Sequence, residues 1–170
     1  MKYADKLLLY AVTDRSWLGG KTLYEEVEHA IQGGVTFVQL REKRLEDTAF
    51  LKEAQEIQKL CKKYHVPFVI NDNVEIAARI HADGVHIGQS DMEVKKARER
   101  LGNERIIGVS AQTVEQAVRA ERDGADYLGV GAVFPTGSQG GCRGSGSPDA
   151  TGDLQGSSDS GYCHRRHYKR

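Results

Sequence analysis

Short β-rich apolar runs alternating with amphipathic stretches predict an α/β chain of βα units around a parallel sheet. Three observations carry this. The alternation continues unbroken from residue 7 to residue 134. One construction, a helix end, a glycine-containing turn and then a strand, stands at 31–39, 81–88 and 122–130, an interval of roughly 45 residues and a barrel-like rhythm. The glycine-rich fingerprint of a dinucleotide-binding open sheet is missing after the first strand, where TDRSWLGGKT stands instead. The expected architecture is a TIM (βα)8-type barrel, incomplete, with about five βα units plus a sixth strand, followed by a disordered tail.

The strand candidates are Leu7–Asp14, Thr36–Glu42, Pro67–Asp72, Gly84–Gly88, Arg105–Ala111 and Tyr127–Phe134. The first helix, Thr22–Gln32, opens on a capping threonine and stops at Gly33–Gly34. The second, Asp47–Tyr64, sets Phe50, Leu51, Ala54, Ile57 and Cys61 at helical spacing, with Asp47 read as its N-cap. Val74–His81 and Met92–Leu101 are shorter, the latter ending at Gly102; Val114–Arg122 follows the cap Thr113 and stops at Asp123–Gly124.

Lys+Arg equals Asp+Glu over the 170 residues, so there is no electrostatic footprint for nucleic acid or an anionic membrane. No apolar run reaches the roughly 18 residues of a membrane span, and the N-terminus lacks the features of a signal peptide. Three cysteines, two of them in the tail, imply no disulfide framework and favour a reducing cytoplasm.

A barrel carries its site at the C-terminal ends of its strands, and those ends are polar here. Gln39, Arg41, Glu42 and Lys43 follow strand two; Asn71 and Asp72 end strand three; His86, Gln89 and Asp91 follow strand four; Ser110 ends strand five; Thr136 and Ser138 follow strand six. Arg41 and Lys43 alternate, so both can point inward. A guanidinium offers phosphate a two-pronged fork, and an ammonium a point charge. Asp72 and Asp91 are hard oxygen ligands of the kind Mg²⁺ takes alongside substrate phosphates. Ser110, Thr136 and Ser138 are small hydroxyls able to hold phosphate oxygens. The set suits binding and departure of a pyrophosphate. His86 reads as half-buried and structural, and Asp72 alone could be a turn residue or a helix cap. No Ser/His/Asp or Cys/His constellation is present.

The strings YAVTD, GGVTFVQLREK, VPFVINDNVEIA, ADGVHIGQSDM, IIGVSAQT and GADYLGVGAVFPTGS together resemble the thiamine phosphate synthase family, over about residues 7–138. The resemblance implies a transferase that joins hydroxymethylpyrimidine pyrophosphate to hydroxyethylthiazole phosphate, releasing pyrophosphate. It implies pyrophosphate contacts from Gln39, Arg41 and Lys43, substrate contacts from Asn71, Ser110, Thr136 and Ser138, and Mg²⁺ as cofactor on Asp72 and Asp91. Arg41, Lys43 and Ser110 are then the catalytic residues, acting by charge stabilisation of the leaving group. A sister group of the same fold, the thiazole tautomerases, lacks Mg²⁺ chemistry and is the alternative; retention of Asp72, Gln89 and Asp91 favours the synthase. Partners are small-molecule substrates, with no nucleic acid and no membrane.

Residues 139–170 contain no Val, Ile, Phe, Met or Trp and cannot bury a core. The domain is expected to be 1–138, with 139–170 a Gly/Ser-rich aberrant tail. The codons possible for Asp159–Lys169, shifted by one base, can spell I-P-V-I-A-I-G-G-I-T-K, the seventh strand that the resemblance leads one to expect. The tail is read as the product of a frameshift, and the chain as impaired in activity, with an inactive misfolding fragment as the third possibility.

Overall fold

The computed structural model describes residues 3–131 and 161–164. In chain order the elements are β1 Tyr10–Val12, α1 Leu23–Gln32, β2 Phe37–Leu40, α2 Asp47–Lys63, β3 Phe68–Asn71, α3 Val74–Arg79, β4 Gly84–Ile87, α4 Val94–Leu101, β5 Ile106–Ala111, α5 Val114–Arg122, β6 Tyr127–Val130 and β7 Gly161–His164, with one 3₁₀ turn at Arg15–Trp17. All seven strands are parallel and lie in consecutive order. Every expected strand and helix up to β6 is present, with frayed ends trimmed by a few residues; residues 132–134 of the sixth strand candidate lie outside the described residues.

The sheet is curled, and its two apolar faces show it. One face, with Val38, Leu40, Phe68, Ile70, Ile107 and Leu128, packs under the helices, where Ile57 and Leu60 of α2 join the same cluster. The other face holds Phe37, Val69, Ile106 and Tyr127, with Tyr3, Leu7 and Tyr10 packed against them. On a flat sheet that second face would meet water, yet Phe37 and Tyr127 are fully buried. The Tyr127 ring of β6 lies 5.8 Å from both Tyr10 of β1 and Phe37 of β2. Strands four and five places apart in the order meet only across the inside of a barrel wall.

The threefold construction has a physical role. The residue before the strand, Thr36, Asp83 or Asp126, accepts from a backbone N–H at the start of an earlier strand: Leu9, Phe68 and Ile107 respectively. Each side chain thereby ties down a strand end. Asp126 is held in turn by Arg98, which also caps carbonyls of Gly102, Arg105 and Gly124.

Thr22 caps α1 in a full capping box with Glu25, and Thr113 caps α5 through the N–H of Gln116. One capping expectation is corrected, and one alternative is removed. Glu46, not Asp47, occupies the N-cap of α2, and no side chain bonds there; Asp47 is the first helical residue, where a carboxylate still meets the positive end of the helix dipole. Asn73, not Asp72, caps α3 through the N–H of Ile76, which leaves Asp72 available to the site.

The tail was expected to be unstructured. Of it, Gly161–His164 pair in parallel with Tyr127–Val130; the rest of 139–170 lies outside the described residues. Strand pairing uses backbone N–H and C=O groups that every residue but proline carries. The open edge of β6 can therefore be paired by four residues that have no apolar pattern.

Candidate active site

The parallel order brings all the strand C-termini to one rim. Register aligns the inward positions: Val12 with Gln39, Asn71 with His86, His86 with Gly108, and Ser110 with Gly129.

Gln39 is buried, and its amide donates to Oδ1 of Asn71 at 3.0 Å. Asp72 takes a left-handed backbone (φ 62°), an uncommon conformation for which Asp and Asn are the usual non-glycine choices. Its N–H donates to the carbonyl of His86 at 2.8 Å. Its carboxyl is pushed up to about 6, first by partial burial and then by the Asp91 carboxyl beside it, against the opposing pull of Asn71 and Lys43. Asp91 is fixed by the N–H of Gly88, which donates to Oδ2 at 2.6 Å. Two carboxylates held together against their repulsion form a hard-oxygen pair that a divalent cation would relieve. The donor set fits Mg²⁺; among the described residues no cluster of three or more His, Cys, Asp or Glu side chains adds further ligands.

Arg41 is tied by its backbone to Thr13, whose hydroxyl accepts from the Arg41 N–H at 2.9 Å. Its guanidinium stands 3.8 Å from Asp14. Hydrogen bonds from the Ser16 hydroxyl and N–H hold the Asp14 carboxyl below the usual carboxylate range, with Arg41 and Lys43 adding to the effect. Lys43 is exposed, and its charge reaches both Asp14 and Asp72. Glu42, between the two cations in sequence, turns away: its side chain is 3% exposed and receives Arg15, which also binds Glu53 of α2.

His86 is buried rather than half-buried, with Nδ1 3.0 Å from the Tyr127 hydroxyl and Nε2 2.9 Å from Oγ of Ser110. Burial pushes its imidazole down to about 4. Gln89 donates to the Ser110 carbonyl at 2.6 Å and accepts from Arg119.

Of the residues expected from sequence, the fold joins Gln39 to Asn71 and Asp72 to Asp91, and sets Arg41, Lys43 and Ser110 on the same rim. Thr136 and Ser138 lie outside the described residues. Thr13, Asp14, Tyr10 and Tyr127 were not foreseen. The strings YAVTD and DYLGV held them, but nothing in a single strand shows which distant strand its side chains will face.

A wall of parallel βα units, with cations, carboxylates and hydroxyls gathered on the C-terminal rim, defines a barrel-type protein with its candidate site at the strand ends. The family model for thiamine monophosphate synthase matches residues 9–146, and the chain belongs to that family. The match runs past residue 138, where the resemblance read from the sequence ended. A thiamine-phosphate synthase of Clostridium acetobutylicum is 54% identical over 132 residues, covering 78% of this chain and 63% of the relative. One of Clostridium novyi is 52% identical over 131 residues, covering 77% and 64%. The solved structure of a thiamine phosphate pyrophosphorylase from Pyrococcus furiosus aligns with a TM-score of 0.73 at 38% identity, covering 78% of this chain and 64% of that one. The chain thus spans a little under two thirds of the length of these relatives.

Proposed function

We propose that this chain carries the pyrophosphate half of a thiamine phosphate synthase site: a transferase that condenses hydroxymethylpyrimidine pyrophosphate with hydroxyethylthiazole phosphate to thiamine phosphate and pyrophosphate. The observation that carries the reading is the Asp72–Asp91 carboxylate pair set beside Arg41 and Lys43 on one rim. Arg41, steadied by Thr13 and Asp14, and Lys43 receive the pyrophosphate oxygens. Gln39 and Asn71, hydrogen-bonded to each other, orient the bound substrate, and Ser110 donates from the opposite side of the rim. Thr136 and Ser138 belong to the same reading as further hydroxyl donors. Asp72 and Asp91 would hold Mg²⁺, which when bound neutralises charge on the departing pyrophosphate. On this reading the enzyme works in a reducing cytoplasm, with which the buried free thiol of Cys61 is compatible.

The frameshift reading of 139–170 belongs here too. Gly161–His164, which pair with β6, are the four residues whose shifted codons permit Val-Ile-Ala-Ile. The chain as written is then an impaired enzyme. A coupled pyrophosphate-release assay tests both ideas, run on this chain and on a frame-corrected version with Mg²⁺ and with a chelator. Mg²⁺-dependent release by the corrected chain supports the transferase. Equal rates from the two chains overturn the impairment. Thiazole isomerisation that ignores both chelator and Asp72→Ala replaces the synthase with the tautomerase.

A further inference from the structure

A line of hydroxyls and one imidazole crosses the inside of the wall. The hydroxyls of Tyr10 and Tyr127 are 2.7 Å apart, the Tyr127 hydroxyl is 3.0 Å from Nδ1 of His86, and Nε2 of His86 is 2.9 Å from Oγ of Ser110. Neighbouring strands are shaped around it. A Cβ at Gly108 would lie 2.0 Å from the Tyr127 ring, and one at Gly129 would lie 2.9 Å from Cε1 of His86. Two inward positions are glycine where two rings need the space.

Both ring nitrogens of His86 face hydroxyls, those of Tyr127 and Ser110, and the Asp91 carboxylate acts on the ring by charge alone. A neutral imidazole donates from one nitrogen and accepts at the other, so the line has a direction. In one direction Ser110 gives its proton to Nε2 and offers the bowl only lone pairs. In the other, Tyr127 donates to Nδ1, Nε2–H donates to Oγ of Ser110, and the Ser110 proton is free to point into the bowl. Only the second arrangement makes Ser110 a donor to an anionic oxygen. The Gln89 amide on the Ser110 carbonyl fixes the backbone from which that proton is aimed.

We propose that His86 is a positioning residue: held at Nδ1 by Tyr127, its Nε2–H tautomer sets Ser110 as a hydrogen-bond donor toward the anionic oxygens of the substrate. This deepens the pyrophosphate reading of the rim and rests on it.

The test uses the full chain labelled with ¹⁵N at histidine, the His86 signals being assigned by their loss in His86→Gln. Long-range ¹H–¹⁵N spectra should show a neutral ring protonated at Nε2. Tyr127→Phe, which keeps the packed ring, should shift it toward the other tautomer. A ring protonated at Nδ1, a doubly protonated ring, or no response to Tyr127→Phe overturns the proposal. Binding of inorganic pyrophosphate with Mg²⁺, followed by calorimetry, supplies the second arm. Ser110→Ala and His86→Leu should each weaken it by about tenfold, the scale of one hydrogen bond to a charged group, and the double variant by no more than either alone. His86→Gln, whose amide can still donate, should recover part of the loss. Independent, multiplying losses would refute the coupling. If His86→Leu does not fold, Tyr127→Phe paired with Ser110→Ala completes the same cycle. Failure of the parent chain to bind pyrophosphate refutes the functional reading of the rim. A wrong tautomer with binding intact refutes this inference alone.

Discussion

Replacing Asp91 by asparagine keeps the side chain's size and its acceptor for the Gly88 N–H while removing its charge. In the parent protein the Asp72 carboxyl rises from 3.8 to about 6, a little over two units, or about 3 kcal/mol between the two protonation states at 1.36 kcal/mol per unit. Asp72 is exposed, so solvent screening cuts the part that reaches folding stability to about 1 kcal/mol. The sign follows from the direction of the shift. The folded state binds the Asp72 proton more tightly than the unfolded chain does, so this contribution to stability is fully present below pH 3.8. It is lost as pH rises toward about 6. In Asp91→Asn the two contributions from the neighbouring carboxylate disappear and the burial contribution remains. The Asp72 pKa should therefore fall toward 3.8 without reaching it. Titration of ¹³C-labelled aspartate carboxyls reads the pKa directly, and urea unfolding at pH 4 and pH 7 reads the linked stability. Adding Mg²⁺ to the parent should depress the same pKa and should do so less in the variant. An Asp72 that titrates near 3.8 in the parent, or whose pKa ignores the Asp91 change, would refute the coupling on which the metal site depends.

Gly108→Ala should destabilise by about 3 kcal/mol or more, because its Cβ would meet a Tyr127 ring already enclosed by Phe37, Tyr10 and His86; urea unfolding measures it, and a loss under about 0.5 kcal/mol would mean the wall is not curled as described. Arg15→Leu strips the counter-ion from Glu42 and Glu53; since half of that guanidinium is solvated, the expected loss is about 1–2 kcal/mol. Burial already holds the Glu53 carboxyl above its ordinary value, so the deficit should be larger at pH 7 than at pH 5, where protonation relieves it. Arg41→Lys keeps the charge and removes the two-pronged fork, and calorimetry should show pyrophosphate held about tenfold more weakly.

Most of the element map was legible from local patterns. Thr22 with Glu25, Thr113, and the glycine turns at 33–34, 102 and 124 punctuate the chain where the helices stop and start. Caps and turns act within a few residues, so a linear reading can find them. Reading Asp47 as a cap fails, and the cap alternative for Asp72 falls, because a neighbour, Glu46 or Asn73, competes for each position and the backbone angle decides between them. The site was legible as a list of polar strand ends but not as a set of pairs. Nothing local says that Glu42 turns away from the rim to a buried pairing with Arg15 while Arg41 and Lys43 act on Asp14. Nor does anything local say that Asp14, one strand earlier, is the group that steadies Arg41.

What the sequence determined by itself is the order of βα units, the side of the sheet that carries the polar groups, and the chemistry those groups can offer. Helical and strand periodicity and glycine turns are properties of neighbouring residues. What only the tertiary structure decided is which of those groups share a proton, a hydrogen bond or a charge. Asp72 meets Asp91 because β3 and β4 are paired neighbours, and Tyr10 reaches Ser110 through Tyr127 and His86 because a consecutive parallel sheet curls until strands far apart in order face one another. The room for the two interior rings comes from glycines on other strands, at Gly108 and Gly129.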